Sequence, residues 1–452
     1  MKNKTNYIVE KHQIKRSNPL WLECDTLCYK AKNLYNQGLY RVRQYYIENK
    51  KYLNYSALQG QIQKEKIDCY TALNAKNAQL VLKDIDHDFK TFFASLKEYR
   101  KHPEKFKKRP GLPHYLDKKG RHTLTFNIQT VSKPELEKGF LKLSGTSFSL
   151  PIQNKVSLLD KKFKGKDIRV LSLKEVRIVP KNDVYEIEIV HVAPEMKEKP
   201  KLYKDRYAAL DLGLNNIGAV ITNIKGTKNI LFNGKPIKSI NHFYNKRQAE
   251  IRSQIDLSKS RREVKRLRKN LHKLERIRRN KIRDYMHKTS STLINYLVSL
   301  GVSTLVIGRN PDWKQEINIG GKNNQNFCFI PHYSFIQMCM YKGLRIGMKV
   351  IDHEESYTSK CSFLDFEEIS KHEVYLGRRV KRGLFKSHKR YLINADINGS
   401  CNILRKVVSN AFDHWSEEEL IEGFVVSPVC LTIDNPQFKE DLSRIYRQAK
   451  CL

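Results

Sequence analysis

Acidic residues stand at three places in this sequence where apolar runs begin or end. Asp211 closes the run in ALDLG, Glu354 and Glu355 follow MKVID in HEESYTSK, and Asp396 precedes the apolar stretch of NADINGSCNIL. Carboxylates at such places can cap turns and helices, or they can supply oxygen ligands to divalent cations. They are conspicuous here because 85 Lys and Arg stand against 47 Asp and Glu, a formal net charge of +38.

Each of these acids, taken alone, also has an ordinary structural explanation. An Asp shortly before a Gly is typical of a strand-to-turn junction, which explains Asp211. Asp396 is placed to be the N-cap of the helix that follows it. Glu354 and Glu355 differ from each other, because successive residues of a strand face opposite ways. Only one of the two can therefore point toward a site shared with the aspartates.

The composition restricts the class of protein. So large an excess of positive charge indicates a polyanionic partner, with nucleic acid as the first candidate. A membrane partner is disfavoured, because no window approaches the roughly 18 apolar residues of a spanning helix. The N-terminus lacks the apolar core of a secretory signal. Nine cysteines without regular spacing suit a reducing cytosol.

Hydrophobic periodicity predicts the elements that position the acids. Residues 20–101 have helical spacing, 102–120 form a basic loop rich in Pro and Gly, and 121–193 contain short strands typical of a small barrel or sandwich. Beyond a linker at 193–201, the pattern changes to α/β from residue 207. It predicts three antiparallel strands, helices over 240–298, two more strands ending near 308 and 354, and a last helix over 395–408.

Four motifs, in this order, resemble the RuvC-type nuclease domain of TnpB proteins: ALDLG, LVIGRNPDWKQ, YTSK and INADINGSCNIL. TnpB proteins are RNA-guided nucleases of insertion sequences and are kin to Fanzor proteins and type V CRISPR effectors. Similarity upstream, in LYNQGLY, AKNAQLVLKDIDHDFKTFF and KRPGLPHYLDKKGRHTLTF, extends the resemblance over nearly all of residues 5–410.

The resemblance implies an α/β fold class, with an RNase H-like RuvC nuclease domain, an N-terminal helical recognition domain and a small β-barrel wedge domain. The expected boundaries are 1–19 and 116–200 for the wedge, 20–115 for the recognition domain, and 201–410 for the nuclease domain with a helical insertion at 240–298 and a basic insert at 359–392. Residues 411–452 stay unassigned.

In this family three carboxylates converge on two divalent ions about 3.5–4 Å apart, and oxygen ligands suit Mg²⁺ or Mn²⁺. Asp211 matches the first acid and Asp396 the third. The second is usually a Glu that ends the strand reading TLVIGRN here, but residue 308 is Gly. In some relatives that Glu has moved to the next strand, just before the Thr-Ser pair. Glu355 matches the relocated position, with Glu354 as the alternative.

Relatives usually carry a four-Cys zinc module between the Thr-Ser pair and the last acid. Here Cys361 is present, but Leu364 stands where the second Cys of the pair would fall, and the next Cys is Cys401. His372 and His388 could add ligands only at irregular spacing, which makes a poor structural zinc site. The resemblance and these departures predict a basic insert near the active site without structural zinc.

The expected partners are a guide RNA and a target double-stranded DNA, bound by one copy of the chain in a prokaryotic cytoplasm and without a membrane. Residues 259–283 contain 13 Lys and Arg but only two Glu. With a leucine stripe, they predict a helix whose basic side follows phosphates. A solvated helical face or a localisation signal is the alternative for this segment.

The candidate nucleic-acid contacts are Tyr35, Asn36, Lys76, Asn77 and Gln79 in the helical region, Lys107, Lys108 and Arg109 in the basic loop, Lys265, Arg268, Lys269 and Arg276 in the basic helix, and Arg382 in the insert. The lysines between 161 and 166 are further candidates for RNA backbone, and Trp313 for base stacking or for the core. Local caps or solvated helix positions explain the polar residues of the helical region equally well.

These features predict an RNA-guided DNA endonuclease that reads a short motif beside its target and hydrolyses phosphodiester bonds with two metal ions. Two alternatives stay open: a nuclease-inactive, guide-dependent DNA-binding repressor, and a compact type V CRISPR effector. The acids at 211 and 396 favour an enzyme over the repressor. A transposase that joins strands itself fits less well, because no HUH-type pattern is present.

Overall fold

A computed structural model describes residues 7–152, 162–163, 166–167, 173–192, 199–309, 330–433 and 435–449. The chain divides into two compact units, Met1–Pro194 and Glu195–Leu452. Trp313, the lysine side chains between 161 and 166, and most of the linker predicted at 193–201 lie outside the described residues. No helix in the described ranges is long and apolar enough to cross a membrane.

The first unit combines helices with a small antiparallel sheet. Its helices are α1 (Leu20–Asn49), α2 (Tyr55–Lys64), α3 (Asp68–Thr71), α4 (Ala75–Lys101) and α5 (Lys133–Glu137), with 3₁₀ turns at Pro103–Lys105 and Ile128–Thr130. Its strands are β1 (Tyr7–Lys15), β2 (Leu124–Asn127), β3 (Phe140–Lys142), β4 (Ser149–Pro151), β5 (Lys162–Phe163), β6 (Lys166–Asp167), β7 (Leu173–Lys181) and β8 (Val184–Val192). The helical region and basic loop predicted from periodicity are both present.

The predicted recognition helices and wedge strands share one core. Strands β1, β8, β7 and β2 form an antiparallel sheet in that order, and the apolar sides of α1 and α4 pack with residues of β2, β7 and β8 in a single hydrophobic cluster. The described strands therefore form an open row rather than a ring, and closure into a barrel stays a prediction.

The second unit is built on a mixed sheet of six strands. The described strands of this unit, six of which form that sheet, are β9 (Tyr203–Asp211), β10 (Asn216–Thr222), β11 (Ile230–Asn233), β12 (Val302–Arg309), β13 (Lys349–Glu354), β14 (Arg378–Lys381), β15 (Leu384–Lys386), β16 (Leu392–Asn394) and β17 (Val429–Leu431). Its helices are α6 (Lys235–Leu257), α7 (Arg261–Ser299), α8 (His332–Ile346), α9 (Ala395–Val407), α10 (Glu417–Phe424) and α11 (Phe438–Ala449).

The strand order of the main sheet is β13-β12-β9-β10-β11-β17. Strands β9, β10 and β11 are antiparallel, as predicted, whereas β12 runs parallel to β9, and β13 parallel to β12. The carboxyl ends of β9, β12 and β13 consequently meet at one edge of the sheet. Helices α7 and α8 cover one face, and α9 covers the other.

The prediction that α9 is the last helix is wrong. The tail, left unassigned from the sequence, contributes α10, α11 and β17, and β17 pairs in parallel with β11. Leu431 of β17 is fully buried in the core beneath α7 and α8. A three-residue strand between two short helices is too short for hydrophobic periodicity to reveal.

Replacing Leu431 by Ala is expected to lower the free energy of unfolding by about 2–5 kcal/mol, because it leaves a cavity in the core. Cys430→Ala is the matched control, since the neighbouring side chain is exposed and its change should stay within about 0.5 kcal/mol. Urea unfolding measures both. Equal stability of the two variants would show that β17 is not part of the folded sheet.

Candidate active site

Asp211 ends β9 on the sheet face that α9 covers. Because side chains alternate along a strand, it shares this face with Ala209, which packs in the cluster beneath α9. The helix approaches closely at Gly399. A β-carbon built there would lie 2.6 Å from Oδ2 of Asp211, so only glycine leaves room for this carboxylate.

Asp396 lies in the first turn of α9 but does not cap it. The N-cap is Asn394, whose Oδ1 accepts hydrogen bonds from the backbone N–H groups of Asp396 (3.0 Å) and Ile397 (3.3 Å). The capping explanation for Asp396 is therefore excluded. Its Oδ2 accepts a 2.7 Å hydrogen bond from Nδ2 of Asn216, and its Oδ1 lies 3.8 Å from the Arg379 guanidinium.

Buried polar side chains fix α9 in place. The Ser400 hydroxyl donates to the carbonyl of Ala219 in β10 (2.9 Å). The Asn398 amide donates to the carbonyl of Cys361 (2.9 Å) and accepts from the backbone N–H of Phe363. Such bonds, in a dry interior, are costly to break. They tie the helix that carries Asp396 to the sheet and to the segment after β13.

The segment after β13 positions Glu355. The Thr358 hydroxyl donates to the Glu355 carbonyl (2.8 Å), and Asn402 of α9 donates in turn to the Thr358 carbonyl (3.0 Å). The Oε2 atom of Glu355 is buried and has no hydrogen-bond partner. It lies 2.6 Å from the point where a β-carbon on Gly308 would stand.

Glu354 is held differently. Its carboxylate accepts hydrogen bonds from the Ser356 hydroxyl (2.7 Å) and from Nζ of Lys406 (2.9 Å), and the residue is exposed. These partners lower the pKa of Glu354. The two adjacent glutamates thus have different environments: Glu354 is paired at the surface, whereas the Oε2 atom of Glu355 is buried without a hydrogen-bond partner.

The pKa values of Asp211 and Glu355 are both raised. The pKa of Asp211 lies well above its usual range because of burial and the nearby charges of Glu355 and Asp396. Burial, followed by the charge of Glu354, raises the pKa of Glu355 to about 7. The Asp211 environment therefore brings all three predicted acids into one electrostatic site.

The donor set suits a hard divalent cation. Oxygen ligands select Mg²⁺ or Mn²⁺, and a bound cation would neutralise the mutual repulsion of these carboxylates. The partnerless Oε2 of Glu355 is an available ligand atom. Within the described ranges, however, no three Asp, Glu, His or Cys side chains are arranged closely enough to hold one ion as they stand.

A groove beside Asp396 is lined by cations from the insert. Its walls include Asn215, Asn216, Asp396, Arg379 of β14, and Arg382 in the turn that follows. Both arginines are exposed. The predicted contact Arg382 thus lies near the acids, and Arg379 is a residue that the sequence reasoning missed.

Carboxylates organise the insert. Glu367 is buried and accepts from the backbone N–H groups of Ser362 (2.6 Å) and Leu376 (2.8 Å). Asp365 accepts from the backbone N–H of His388 (2.7 Å). Leu364, at the position of the missing Cys, packs in the core under α9. That the insert holds no zinc stays a prediction.

Two predicted base-reading residues are buried in the first unit. The Tyr35 hydroxyl donates to Asp88 (2.6 Å), and the Asn77 amide donates to the Thr125 carbonyl of β2 (2.6 Å). Their side chains are 4% and 1% exposed. Asn36 makes a reciprocal pair of 2.9 Å bonds with the backbone of Leu116 and so anchors the basic loop. Burial of Tyr35 and Asn77 favours structural roles for these two residues, whereas Asn36 is partly exposed and its contact with nucleic acid stays a prediction.

The remaining candidates lie at or near the surface. The exposed ones are Lys76, Lys107, Lys108, Arg109, Lys265, Arg268 and Lys269, while Gln79 and Arg276 are partly buried. The basic segment forms part of α7, and Leu267 on its apolar stripe is buried. The predicted geometry of this helix, one packed side and a basic outer surface, is present.

Several site residues were not singled out from the sequence. Asn216, Asn398, Ser400 and Asn402 position the acids, and Arg379 lies beside one of them. The signal for the helix residues was the run NGSCN, which places polar side chains among apolar ones at the start of a buried helix. Nothing in the sequence marked Asn216 or Arg379.

Comparisons with known proteins agree with this architecture. Residues 188–314 match the family OrfB_IS605, described as a probable transposase, and residues 332–403 match the Cas12f1-like TNB domain. The TnpB-like protein ORF457 of Acidianus two-tailed virus is 31% identical over 216 residues, which cover 46% of this chain and 43% of that protein. The match thus spans less than half the length of this curated relative.

Two solved structures are similar. A Cas12f1–sgRNA–target DNA complex gives a TM-score of 0.52 at 14% identity, over 84% of this chain and 81% of that one. The mini-RNA-guided endonuclease CRISPR-Cas_phi3 gives 0.46 at 13% identity, over 89% and 93%. The first likeness, together with the mixed sheet, shows that the chain shares the α/β fold of that protein.

The sequence matches support a more specific resemblance than the fold does. The resemblance to TnpB-type proteins, read from the motifs around Asp211 and Asp396, is confirmed by the OrfB_IS605 and Cas12f1-like segments and by the viral TnpB-like relative. The two matched segments, 188–314 and 332–403, lie largely within the unit that contains the three acids.

Replacing Glu355 by Gln is expected to stabilise the metal-free protein at neutral and higher pH. A carboxyl group whose pKa rises on folding binds its proton more tightly in the folded state, so stability falls as pH rises from about 4.5 to about 7. At about 1.4 kcal/mol per pKa unit, the gain near pH 8 is about 3 kcal/mol, and it vanishes near pH 4. Urea unfolding in EDTA at the two pH values measures it.

Glu354→Gln is the control with the opposite sign. Because Ser356 and Lys406 lower the pKa of Glu354, its charge stabilises the fold above the ordinary carboxyl pKa and loses that effect in acid. The variant should be less stable than the parent near neutral pH. A stability gain in this variant, or none in E355Q, contradicts the environments described above.

Proposed function

We propose that this protein is an RNA-guided DNA endonuclease that hydrolyses phosphodiester bonds with two divalent cations. The observation that carries the proposal is the placement of Asp211 at the end of β9, against Gly399 of the helix that holds Asp396, where the charges of Glu355 and Asp396 both raise its pKa. The TnpB-type resemblance supports the guided function. The Cas12f1 relative in the solved complex holds a guide RNA and a target DNA, and by analogy we assign the same two partners to this chain.

The sheet topology supports an RNase H-like nuclease domain. Three antiparallel strands are followed by two that run parallel to the first, and the acids come from the end of β9, the segment after β13 and the start of α9. In this assignment Asp211, Glu355 and Asp396 hold the cations. When bound, two such ions activate a water and stabilise the leaving oxygen of the phosphodiester.

Other residues of the chain prepare this site for a substrate. Asn216 bonds Oδ2 of Asp396 and so fixes the orientation of its carboxylate. Arg379 and Arg382 place positive charge along the groove beside Asp396, where a phosphodiester backbone would be attracted and held. Burial of Glu355 Oε2 keeps one ligand atom free of competing hydrogen bonds.

The exposed cations of α7 serve as a second contact for nucleic acid. Their side chains project from a helix whose apolar stripe is packed, so they are available to phosphates. Such contacts give affinity and salt dependence but not sequence choice, which belongs to the guide.

A guide-dependent DNA-binding protein without nuclease activity is the second candidate. One observation favours it: among the described residues, no three candidate ligands are arranged closely enough to hold one ion. In that case the groove and α7 would still bind nucleic acid, but the acids would not act on it. The two candidates differ in a single measurable property, cleavage.

Asp211→Ala, Glu355→Ala and Asp396→Ala are each expected to reduce programmed DNA cleavage to background while leaving guide RNA bound, because each removes a cation ligand. The assay uses RNA that copurifies with the protein, sequenced to define its scaffold and variable end, and a DNA target matched to that end. Glu354→Ala is the control and should cleave, since that carboxylate is neutralised elsewhere.

Each result separates the candidates. Cleavage by the parent protein and none by the three variants supports the nuclease. Binding of matched DNA without cleavage by the parent supports the repressor. Copurified RNA that is random cellular RNA argues against guided function of either kind, and full activity of Glu355→Ala rules out the relocated acid.

The triple change Lys265→Gln, Arg268→Gln and Lys269→Gln is expected to weaken nucleic-acid binding and to reduce the slope of log K against log salt by about 2–3, because each phosphate contact contributes about 0.7–0.9. Lys204, Arg345 and Lys349, also exposed, changed to Gln together, provide a control with the same loss of charge. Filter binding at several salt concentrations measures both. If the triple variant and the parent gave identical salt slopes, α7 would not contact the nucleic acid.

A further inference from the structure

The glycine at 308 coincides with the space that the Glu355 carboxylate occupies. Gly308 lies in β12, paired in register with His353 of β13, while its neighbour Ile307 pairs with Leu210 of β9. Gly308 therefore lies on the strand between β9 and β13, the two strands that lead to Asp211 and Glu355. Gly308 and Asp211 also share the face covered by α9, because Val306 and Ala209, two residues earlier in each strand, pack there.

A β-carbon at 308 would collide with two atoms. It would lie 2.6 Å from Oε2 of Glu355 and 2.4 Å from Cδ1 of Ile403 in α9. The second contact is the flexible end of an aliphatic side chain, which can turn away. The first is a buried carboxylate oxygen without a hydrogen-bond partner, held by a segment that α9 fixes through Asn402.

We propose that Gly308 is a positioning residue for Glu355: the missing side chain at 308 leaves the space in which the Glu355 carboxylate lies. A side chain at 308 displaces Glu355, and removing Glu355 opens a space that an acid at 308 can fill. This inference rests on the proposed nuclease function for its chemical meaning, but its steric part concerns the metal-free protein.

The steric part is tested by a double-mutant cycle on the metal-free protein. Gly308→Ala is made in the parent and in a Glu355→Ala background, and melting temperatures are compared in EDTA. We expect the loss caused by Gly308→Ala to be smaller in the second background, because only the Ile403 contact remains there. Equal losses in both backgrounds would overturn the inference.

The exchange of the acid is tested with Mn²⁺. Glu355→Ala should lose Mn²⁺ binding by calorimetry together with DNA cleavage. Adding Gly308→Asp or Gly308→Glu to this variant should restore both Mn²⁺ binding and cleavage. The two acids differ in side-chain length, so that one of them can reach the position of the lost carboxylate. Gly308→Gln has the size of Glu without its charge and should restore neither property. A gain of binding in a double variant is not explained by misfolding.

The outcomes distinguish this inference from the proposed function. If the parent cleaves and neither acid at 308 rescues Mn²⁺ binding or cleavage, the exchange is refuted while the nuclease stands. If the parent does not cleave, but Mn²⁺ binding is lost and regained as expected, the exchange stands while the nuclease fails. Rescue by Gly308→Gln would refute the role of the charge.

Discussion

The second unit is organised around the electrostatic repulsion that Asp211 experiences from Glu355 and Asp396. Asp211 lies buried at one edge of a sheet near the carboxylates of Glu355 and Asp396, and it is more costly to ionise because of this burial and these two charges. Left to themselves the three acids would separate or take up protons. They stay together because rigid elements hold them: the end of β9, a bonded turn after β13, and a helix fixed by buried amides. The site is thus maintained at the expense of stability, as expected where function and not packing determines the residues.

Helix α9 has the largest part in this arrangement. It supplies Asp396, leaves room for Asp211 at Gly399, and holds the turn of Glu355 through Asn402. Asn398 and Ser400 connect it to the two neighbouring segments. Buried polar networks of this kind specify one arrangement because a half-satisfied alternative is expensive. One short run of sequence therefore determines the relative position of all three acids.

Much of this architecture could be predicted from the sequence. Apolar runs that end in acids located β9 and β13, and helical spacing located α1, α4 and α7, because these features are local. Burial of Tyr35 and Asn77 could not be predicted. Their roles depend on Asp88 and on β2, which spacing along one helix does not reveal. Similarly, the sequence shows at Gly308 only that an acid is missing, and the position of the Glu355 carboxylate is what explains the glycine.

The insert and the tail show a second limit of prediction from the sequence. Glu367 and Asp365 organise the insert through backbone N–H groups, and such contacts leave no pattern of residue types comparable to a row of cysteines. Tail strand β17 is recognised only by its pairing with β11. In both cases the determining interaction joins segments that are distant in the sequence, so composition and periodicity carry no trace of it.

The position of β17 has a consequence for biosynthesis. Residues of the first unit leave the ribosome early and have their own core, so they can fold during translation. The sheet of the second unit is not complete until Val429–Leu431 has emerged. Until then the β11 edge presents unpaired backbone groups, which invite pairing with other chains. Until β17 has paired with β11, the second unit therefore keeps an open sheet edge at which it can associate with other chains.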